Sequence, residues 1–158
     1  MNKWNWNRLS SMQIGRYGEY LAKMEMILMG FDVYSAEVDE RGIDFVLRTE
    51  PDKYYDVQVK TAFKSNYIYF RKSKFCIRPA LLVLFIRLVQ HQSPSLYLIP
   101  SVAWKNPDKI LLVERDYPDG NSEPEFGLNV TKKSIKLLEK YQLENSIREI
   151  GLPQSSLG

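Results

Sequence analysis

The stretch YYDVQVKT, residues 54–61, alternates between apolar and polar side chains, which predicts a β-strand with two different faces. Because successive side chains point to opposite faces of a strand, its two valines lie on one face, and Asp56, Gln58 and Lys60 lie on the other. A face turned to solvent would explain these polar residues. The same three residue types on one face of a strand are also those of a candidate catalytic site. The rest of the sequence helps to decide between these two interpretations.

Length and composition predict one globular domain spanning residues 1–158. The chain is 44% hydrophobic, which is enough to build a core. Its single cysteine, Cys76, excludes an intrachain disulfide, suits a reducing compartment and is expected to be buried as a small apolar residue. The longest apolar run, residues 79–89, is too short to cross a bilayer and contains Arg87. We therefore expect a cytoplasmic protein with no membrane partner.

The charges are unevenly distributed along the chain. The net charge is only +3, but residues 57–107 contain no Asp or Glu. The same segment contains Lys60, Lys64, Arg71, Lys72, Lys74, Arg78, Arg87 and Lys105. This pattern indicates a surface that meets a polyanion, and burial of the apolar part of the segment explains it equally well.

The predicted elements are helices at both ends and strands between them. Ser10 or Ser11 caps a first helix that runs to Met29 and stops at Gly30. Strands are expected at 31–38, 42–49, 54–61, 66–72, 80–89, 95–100 and 109–115, with a short helix at 100–106 and a final helix at 132–147. This order predicts an α/β (α+β) domain whose mixed sheet is flanked by helices. Residues 1–9 form an arm, either mobile or packed on a neighbouring subunit, and residues 151–158 form a loose tail.

Three elements are expected to converge on one point. The short turn between residues 49 and 54 predicts a hairpin that places Asp44 beside Gln58 and Lys60. Small residues on the first helix allow it to lie close to the sheet, with Glu19 at the rim of the contact. Taken singly, each side chain has an ordinary explanation, such as a turn cap for Asp44 or a solvated position for the other three.

Together, the segments GRYGEYLAKMEMILMGFDVY (15–34), RGIDFVL (41–47) and YDVQVKT (55–61) resemble the PD-(D/E)XK nuclease superfamily. The closer resemblance is to its branch in which glutamine replaces the middle acid, as in some homing endonucleases and many bacterial domains. The resemblance covers roughly the first half of the chain. It implies a restriction-endonuclease-like core and hydrolysis of DNA phosphodiester bonds.

The resemblance also implies a role for each site residue. Mg²⁺, for which Mn²⁺ can substitute, would be held by Asp44, Glu19, the Gln58 amide oxygen and the Val59 carbonyl. Lys60 would orient the attacking water or steady charge on the phosphate, so the implied catalytic set is Glu19, Asp44, Gln58 and Lys60.

Two departures from the motif affect this interpretation. Ile43 stands where the motif has proline, and the literal Pro51–Asp52 pair lies in the turn, too near Gln58 to share a site across the hairpin. Neutral Gln58 removes one ligand charge, which at about 4 Å and an effective dielectric constant near 20 is worth roughly 4 kcal/mol before desolvation. The alternative function is therefore a weakly active or inactive nuclease-fold module that binds nucleic acid or mediates assembly.

A mixed aromatic and basic segment follows the motif. Its candidate nucleic-acid contacts are Lys64, Tyr67, Tyr69, Arg71, Lys72 and Lys74. A half-buried strand with its aromatic residues in the core is the other interpretation. Since one small domain offers one site and cuts one strand, a homo-oligomer is expected for double-strand cleavage.

Overall fold

The computed structural model describes residues 1–38 and 41–149, without the side chain of Glu149; the predicted tail 151–158 lies outside the described residues. The helices are α1 (Ser11–Leu28), α2 (Ile135–Leu138) and α3 (Leu143–Glu149). The strands are β1 (Asp32–Ser35), β2 (Phe45–Glu50), β3 (Lys53–Phe63), β4 (Tyr67–Arg71), β5 (Leu81–Leu88), β6 (Ser95–Pro100), β7 (Leu112–Arg115) and β8 (Glu125–Asn129). Residues 101–105, expected to be helical, form a 3₁₀ helix.

The first helix begins and ends where the sequence predicts. Ser10 and Gln13 form a capping box, in which each side chain accepts the other residue's backbone N–H. At the other end, Gly30 adopts a φ of +90°, which a glycine reaches without strain. The helix axis and starting point are therefore set by local sequence.

The main sheet is mixed, with strand order β1-β2-β3-β5-β6. The predicted hairpin joins β2 and β3, which are antiparallel, and β3 then pairs in parallel with β5. Strand β5 is buried on both faces, as its nearly unbroken apolar sequence predicts. These features confirm the predicted mixed α+β class.

The prediction that residues 66–72 extend the main sheet is wrong. Strand β4 belongs to a second, three-stranded sheet of order β4-β8-β7. The chain leaves β3 through Lys64, whose positive φ of +61° turns it away, and β4 pairs with the distant β8. The pairing partner decides sheet membership, and that partner lies far along the sequence.

Two cores lie on opposite faces of the main sheet. One core packs Val57 and Val59 of β3 beneath α1, against Ala22 and Met26. The other lies between the two sheets and includes Ala62 of β3. The molecule thus has three layers: helices, main sheet and second sheet.

The final helix is shorter than predicted because it serves both cores. Leu138 of α2 is buried in the core between the sheets, whereas Leu143 and Ile147 of α3 are buried in the core beneath α1. A single straight helix does not present these side chains to two faces of one sheet. The helix is interrupted at Gln142, whose backbone is not helical (φ −48°, ψ 134°). Gln142 forms an isolated antiparallel β-bridge with Tyr97 of β6.

The N-terminal segment packs on its own chain. Trp6 is buried, and its indole Nε1–H donates to the Val89 carbonyl at 2.9 Å. The backbone carbonyl of Trp4 accepts the N–H of His91, also at 2.9 Å. The residues of the expected arm therefore connect the start of α1 to the turn between β5 and β6.

The prediction that Cys76 is buried is wrong, because its side chain is exposed. The adjacent Phe75 takes the interior position and packs against Phe70 and Trp104. Within the described residues, the helices are too short or too polar to cross a membrane.

Candidate active site

The two faces of strand β3 carry different types of side chain. Val57 and Val59 enter the core beneath α1, so Gln58 and Lys60 point to the other face, toward the second sheet. Both polar side chains are only half-buried. The alternating polar residues of β3 therefore face a cleft between the two sheets.

Asp44 lies at the edge of β3, immediately before β2 begins. Its backbone N–H donates to the Val57 carbonyl at 2.9 Å. Its carboxylate oxygen Oδ2 accepts the backbone N–H of Val59 at 2.7 Å. The carboxylate thus takes the place of a strand partner that β2 no longer supplies, which fixes it beside the Gln58–Lys60 segment.

The Val59 carbonyl faces the same edge. The N–H of Asp56 donates toward β5, to the Ala80 carbonyl, whereas Val57 and Val59 bond toward Asp44. Because the N–H and C=O of one strand residue point to the same side, the Val59 carbonyl also points toward Asp44. The Asp44 carboxylate and the Val59 carbonyl therefore lie at the same edge of β3, next to the end of its pairing with β2.

Gly42 covers the Gln58 side chain. It has a φ of +71°, and a Cβ there would lie 3.0 Å from Gln58 Nε2. A larger residue would press on the amide, so this glycine sets the position of Gln58. Two residues further along β3, Lys60 Nζ lies 5.4 Å from the ring centroid of Phe70.

Glu19 is held on the opposite face of the main sheet. Helix α1 contacts β3 closely, because a Cβ at Gly18 would overlap the Thr61 hydroxyl. The Glu19 side chain is 30% exposed and its carboxylate pairs with Arg16 at 3.5 Å. The structure therefore brings Asp44, Gln58, Val59 and Lys60 together along one segment, and places Glu19 across the sheet from Gln58 and Lys60.

The donor set fits a hard divalent cation that takes few protein ligands. Among residues 1–38 and 41–149, no three His, Cys, Asp or Glu side chains are grouped so that they could hold a metal ion. A metal here would thus need amide and carbonyl oxygens beside carboxylates. Asp44, Gln58 and Val59 supply those oxygens, and Mg²⁺ commonly keeps several waters and one or two carboxylates.

A cavity of about 460 Å³ opens on this face of β3. It is lined by Gly42, Gln58, Lys60, Tyr67, Ile68, Tyr69, Phe70, Arg71, Lys74 and Phe75. Four of the six predicted nucleic-acid contacts thus share a cavity with two predicted catalytic residues. The lining has three cationic side chains and, within the described part of the chain, no acid.

The other two predicted contacts lie elsewhere. Lys64 Nζ donates to Asn7 Oδ1 at 2.6 Å, beside a smaller cavity. Lys72 is ion-paired with Glu114 and, at 2.9 Å, with Asp116. The hydrogen bond to Glu114 raises the pKa of Lys72, so this charge is engaged by acids of the same chain.

Ion pairs also engage other cations of the acid-free stretch. Arg78 pairs with Asp56, and Arg71 lies 3.7 Å from Glu123. The acidic partners come from outside residues 57–107, so the linear charge pattern overstates the positive surface. Lys60 and Lys74 line the cavity on this face of β3.

The Tyr67 and Tyr69 rings stack on the outer face of the second sheet, opposite the buried side chains of Ile68 and Phe70. Their ring centroids are 6.3 Å apart and the planes differ by 19°. Burial, with a smaller effect of nearby Glu125, raises the pKa of Tyr67 to about 12. The ring therefore stays neutral at physiological pH.

Sequence reasoning did not assign a role to three residues of this region. Gly42 was expected only to bound a strand, although its place two residues before Asp44 hinted at a tight approach. Phe70 and Phe75 are buried and line the cavity. The pairing of β4 with β8 places Phe70 opposite Phe126, and Phe75 packs against the same Phe126 ring.

Comparison with known proteins finds similarity among solved structures. No family model and no curated protein sequence matches the chain. Among solved structures, the chain is similar to the bacterial homing endonuclease I-Ssp6803I, with 16% sequence identity and a TM-score of 0.49. The similarity covers 84% of this chain and 95% of that one.

Proposed function

We propose that this chain is a Mg²⁺-dependent DNA endonuclease of the PD-(D/E)XK type, in the branch with glutamine at the middle acid. One observation carries the proposal: the Asp44 carboxylate is fixed by the Val59 N–H at 2.7 Å, at the open edge of β3 beside Gln58 and Lys60. The carboxylate thereby lies against the backbone of the strand segment that carries Gln58 and Lys60, and this placement supports the proposal.

The chain's own residues would divide the work as follows. Asp44, Gln58 and Val59 would hold the cation, and Glu19 would be a further ligand, directly or through a water. Bound Mg²⁺ (or Mn²⁺) would supply charge neutralisation at the scissile phosphate and acidify a water. Lys60 directs its ammonium group to the nucleophile or the phosphate, while Lys74 and Arg71 hold the DNA backbone.

Nicking of supercoiled plasmid with Mg²⁺ or Mn²⁺ tests the proposal. Asp44→Asn and Lys60→Met are expected to reduce nicking at least about 100-fold. An asparagine at 44 can still accept the Val59 N–H, so the fold is expected to persist and circular dichroism checks this. Asp52→Asn is the matched control, because Asp52 is exposed in the β2–β3 turn and belongs to the literal Pro-Asp pair.

Three results would contradict the proposal. Equal nicking by wild type, Asp44→Asn and Lys60→Met would identify a contaminating nuclease. Loss of activity in Asp52→Asn alone would move the site to the turn. DNA binding with neither nicking nor calorimetric binding of Mg²⁺ or Mn²⁺ would favour an inactive binding module, which neutral Gln58 makes the second candidate.

We also propose that the protein acts as a homo-oligomer on duplex DNA. A single copy offers one such site and cuts one strand, so paired cuts need a second copy. Linear plasmid should then appear at protein concentrations at which sedimentation detects oligomers. Linear product from a strictly monomeric protein, at the earliest times, would overturn this part.

A further inference from the structure

Helix α1 carries apolar side chains on two opposite faces. The face toward the main sheet is buried and contains Ile14, Gly18, Ala22 and Met26. On the opposite face, four large apolar side chains are each more than half exposed, and we call them the outer stripe: Tyr20, Met24, Ile27 and Leu28. A surface helix usually presents polar residues on its outer side, whereas a helix that is apolar all round is usually covered. The outer stripe therefore has the composition of a covered surface.

The members of the outer stripe lie side by side on the helix. Because an α-helix turns about 100° per residue, the other three members lie within about 60° of Met24. The charged residues of the same turns, Lys23 and Glu25, lie about 100° to either side of Met24 and border the stripe. Positions 20, 24 and 27 follow the alternating spacing of four and three residues by which one helix packs against another. The stripe thus has the pattern of a helix–helix contact.

The exposed area of the outer stripe matches what a dimer interface needs. Four large side chains at these exposures amount to roughly 500 Å² per copy, in the size range of the functional apolar patches of proteins. Two copies that pack stripe against stripe would bury roughly 1,000 Å², about the lower limit for a specific interface. A two-fold axis matches an apolar stripe with an identical one, so a second copy is a fitting partner.

We propose that the outer stripe is a self-association surface, on which α1 of a second copy packs across a two-fold axis. This inference names the surface of the homo-oligomer proposed above, and it rests on the proposed function only for the need for two sites. The stripe faces away from the main sheet, whereas the cavity beside Gln58 and Lys60 lies on the far side of that sheet. Pairing of the stripes therefore leaves the cavity open to DNA, and the dimer forms without DNA or metal.

Sedimentation equilibrium of the full chain, without DNA and in chelator, tests the inference. Wild type is expected to dimerise. Met24→Glu places a charge in the middle of the apolar contact, so it should raise the dimer dissociation constant at least about 100-fold. Ile27→Lys should act in the same way, although its charge has the opposite sign.

Met12→Glu is the matched control for Met24→Glu. Met12 is 87% exposed on the same helix, and the twelve residues between the two positions rotate it about 120° away from Met24. This variant should keep the wild-type dissociation constant. Circular dichroism checks that all three variants keep the wild-type fold, which is expected because each substituted side chain is exposed within a single copy.

The outcomes separate this inference from the endonuclease. A wild-type protein that stays monomeric, or binds lipid vesicles as a monomer through the stripe, would overturn the inference even if it nicks plasmid. Equal dissociation constants for wild type, Met24→Glu and Ile27→Lys would also overturn it, because the dimer would then use another surface. Dimers that Met24→Glu dissociates, without cleavage of any DNA in Mg²⁺ or Mn²⁺, would support the inference and contradict the endonuclease.

Discussion

The position of the Gln58 amide depends on Gly42. That glycine has a left-handed φ of +71° and leaves room for the amide beneath it. Only a residue without Cβ fits both conditions, since the left-handed region disfavours other residues and the space is already taken. Gly42 is thus a positioning residue that acts through Gln58.

Gly42→Ala is expected to reduce metal-dependent nicking by about 10–100-fold, as loss of a supporting contact does. Gly120→Ala is the matched control, because Gly120 has a similar φ of +74° and no described atom lies within 4 Å of a Cβ placed there. Both variants should lose about 1–2 kcal/mol of unfolding free energy from backbone strain. Urea denaturation and the Mg²⁺ dependence of nicking are the measurements. Equal nicking by the two variants would show that Gly42 has only a backbone role.

At the residue scale, the sequence revealed part of the site. The hairpin length placed Asp44 opposite β3, and strand alternation placed Gln58 and Lys60 on one face. Neither pattern tells how far α1 tilts, so the sequence left open whether Glu19 reaches the edge of β3. The roles of Phe70 and Phe75 depend on pairing with residues 125–129, for which the segment itself contains no signal.

Helix α1 contains two glycines in different surroundings. A Cβ at Gly18 would overlap the Thr61 hydroxyl and lie 2.9 Å from Thr61 Cβ, whereas no described atom lies within 4 Å of one at Gly15. The close approach of α1 to β3 therefore depends on Gly18 and not on Gly15.

Gly18→Ala is expected to lower the free energy of unfolding by about 1–3 kcal/mol, because overpacking separates helix and strand. Gly15→Ala is expected to raise it by about 0.5–1 kcal/mol, since alanine is the better helix former and nothing obstructs it. Urea denaturation of the two variants checks the opposite signs. A shift of both in the same direction would mean that α1 does not sit on Thr61 in solution.

At the scale of elements, short stretches of sequence predicted the elements correctly, whereas pairings between distant segments were not predicted. The capping residues of α1, the β2–β3 hairpin and the buried β5 all follow from short stretches of sequence. The second sheet and the break at Gln142 follow from which core each segment must fill. Leu138 and Leu143 are five residues apart, yet they are buried in the two different cores. Helical periodicity predicts which residues are apolar, but it does not predict that they belong to different cores.

At the scale of the whole molecule, acidic side chains from other parts of the sequence pair with several of the basic residues in 57–107. Acids from before and after that stretch engage Lys72 and Arg78, whereas Lys74 and Arg71, the latter 3.7 Å from Glu123, line the cavity. DNA affinity should therefore depend on a few cations around the cavity and less on the total number of basic residues.

Lys74→Ala is expected to reduce the slope of log affinity against log salt concentration by about 0.9, the loss of one phosphate contact. Lys72→Ala should leave the slope nearly unchanged, because Glu114 and Asp116 already engage that ammonium group. Fluorescence anisotropy with a labelled duplex between low and moderate salt measures both slopes. A larger change for Lys72→Ala than for Lys74→Ala would place the DNA on the β7 side of the molecule.

The anchoring of Trp4 and Trp6 implies an order of events during synthesis of the protein. Their partners, residues 89–92, lie more than eighty positions later in the chain. Trp4 and Trp6 therefore cannot dock until the turn after β5 has been synthesised, whereas the β2–β3 hairpin needs only its own neighbours. Burial of Trp6 is thus a late step in folding, which follows the formation of the β2–β3 hairpin and of β5.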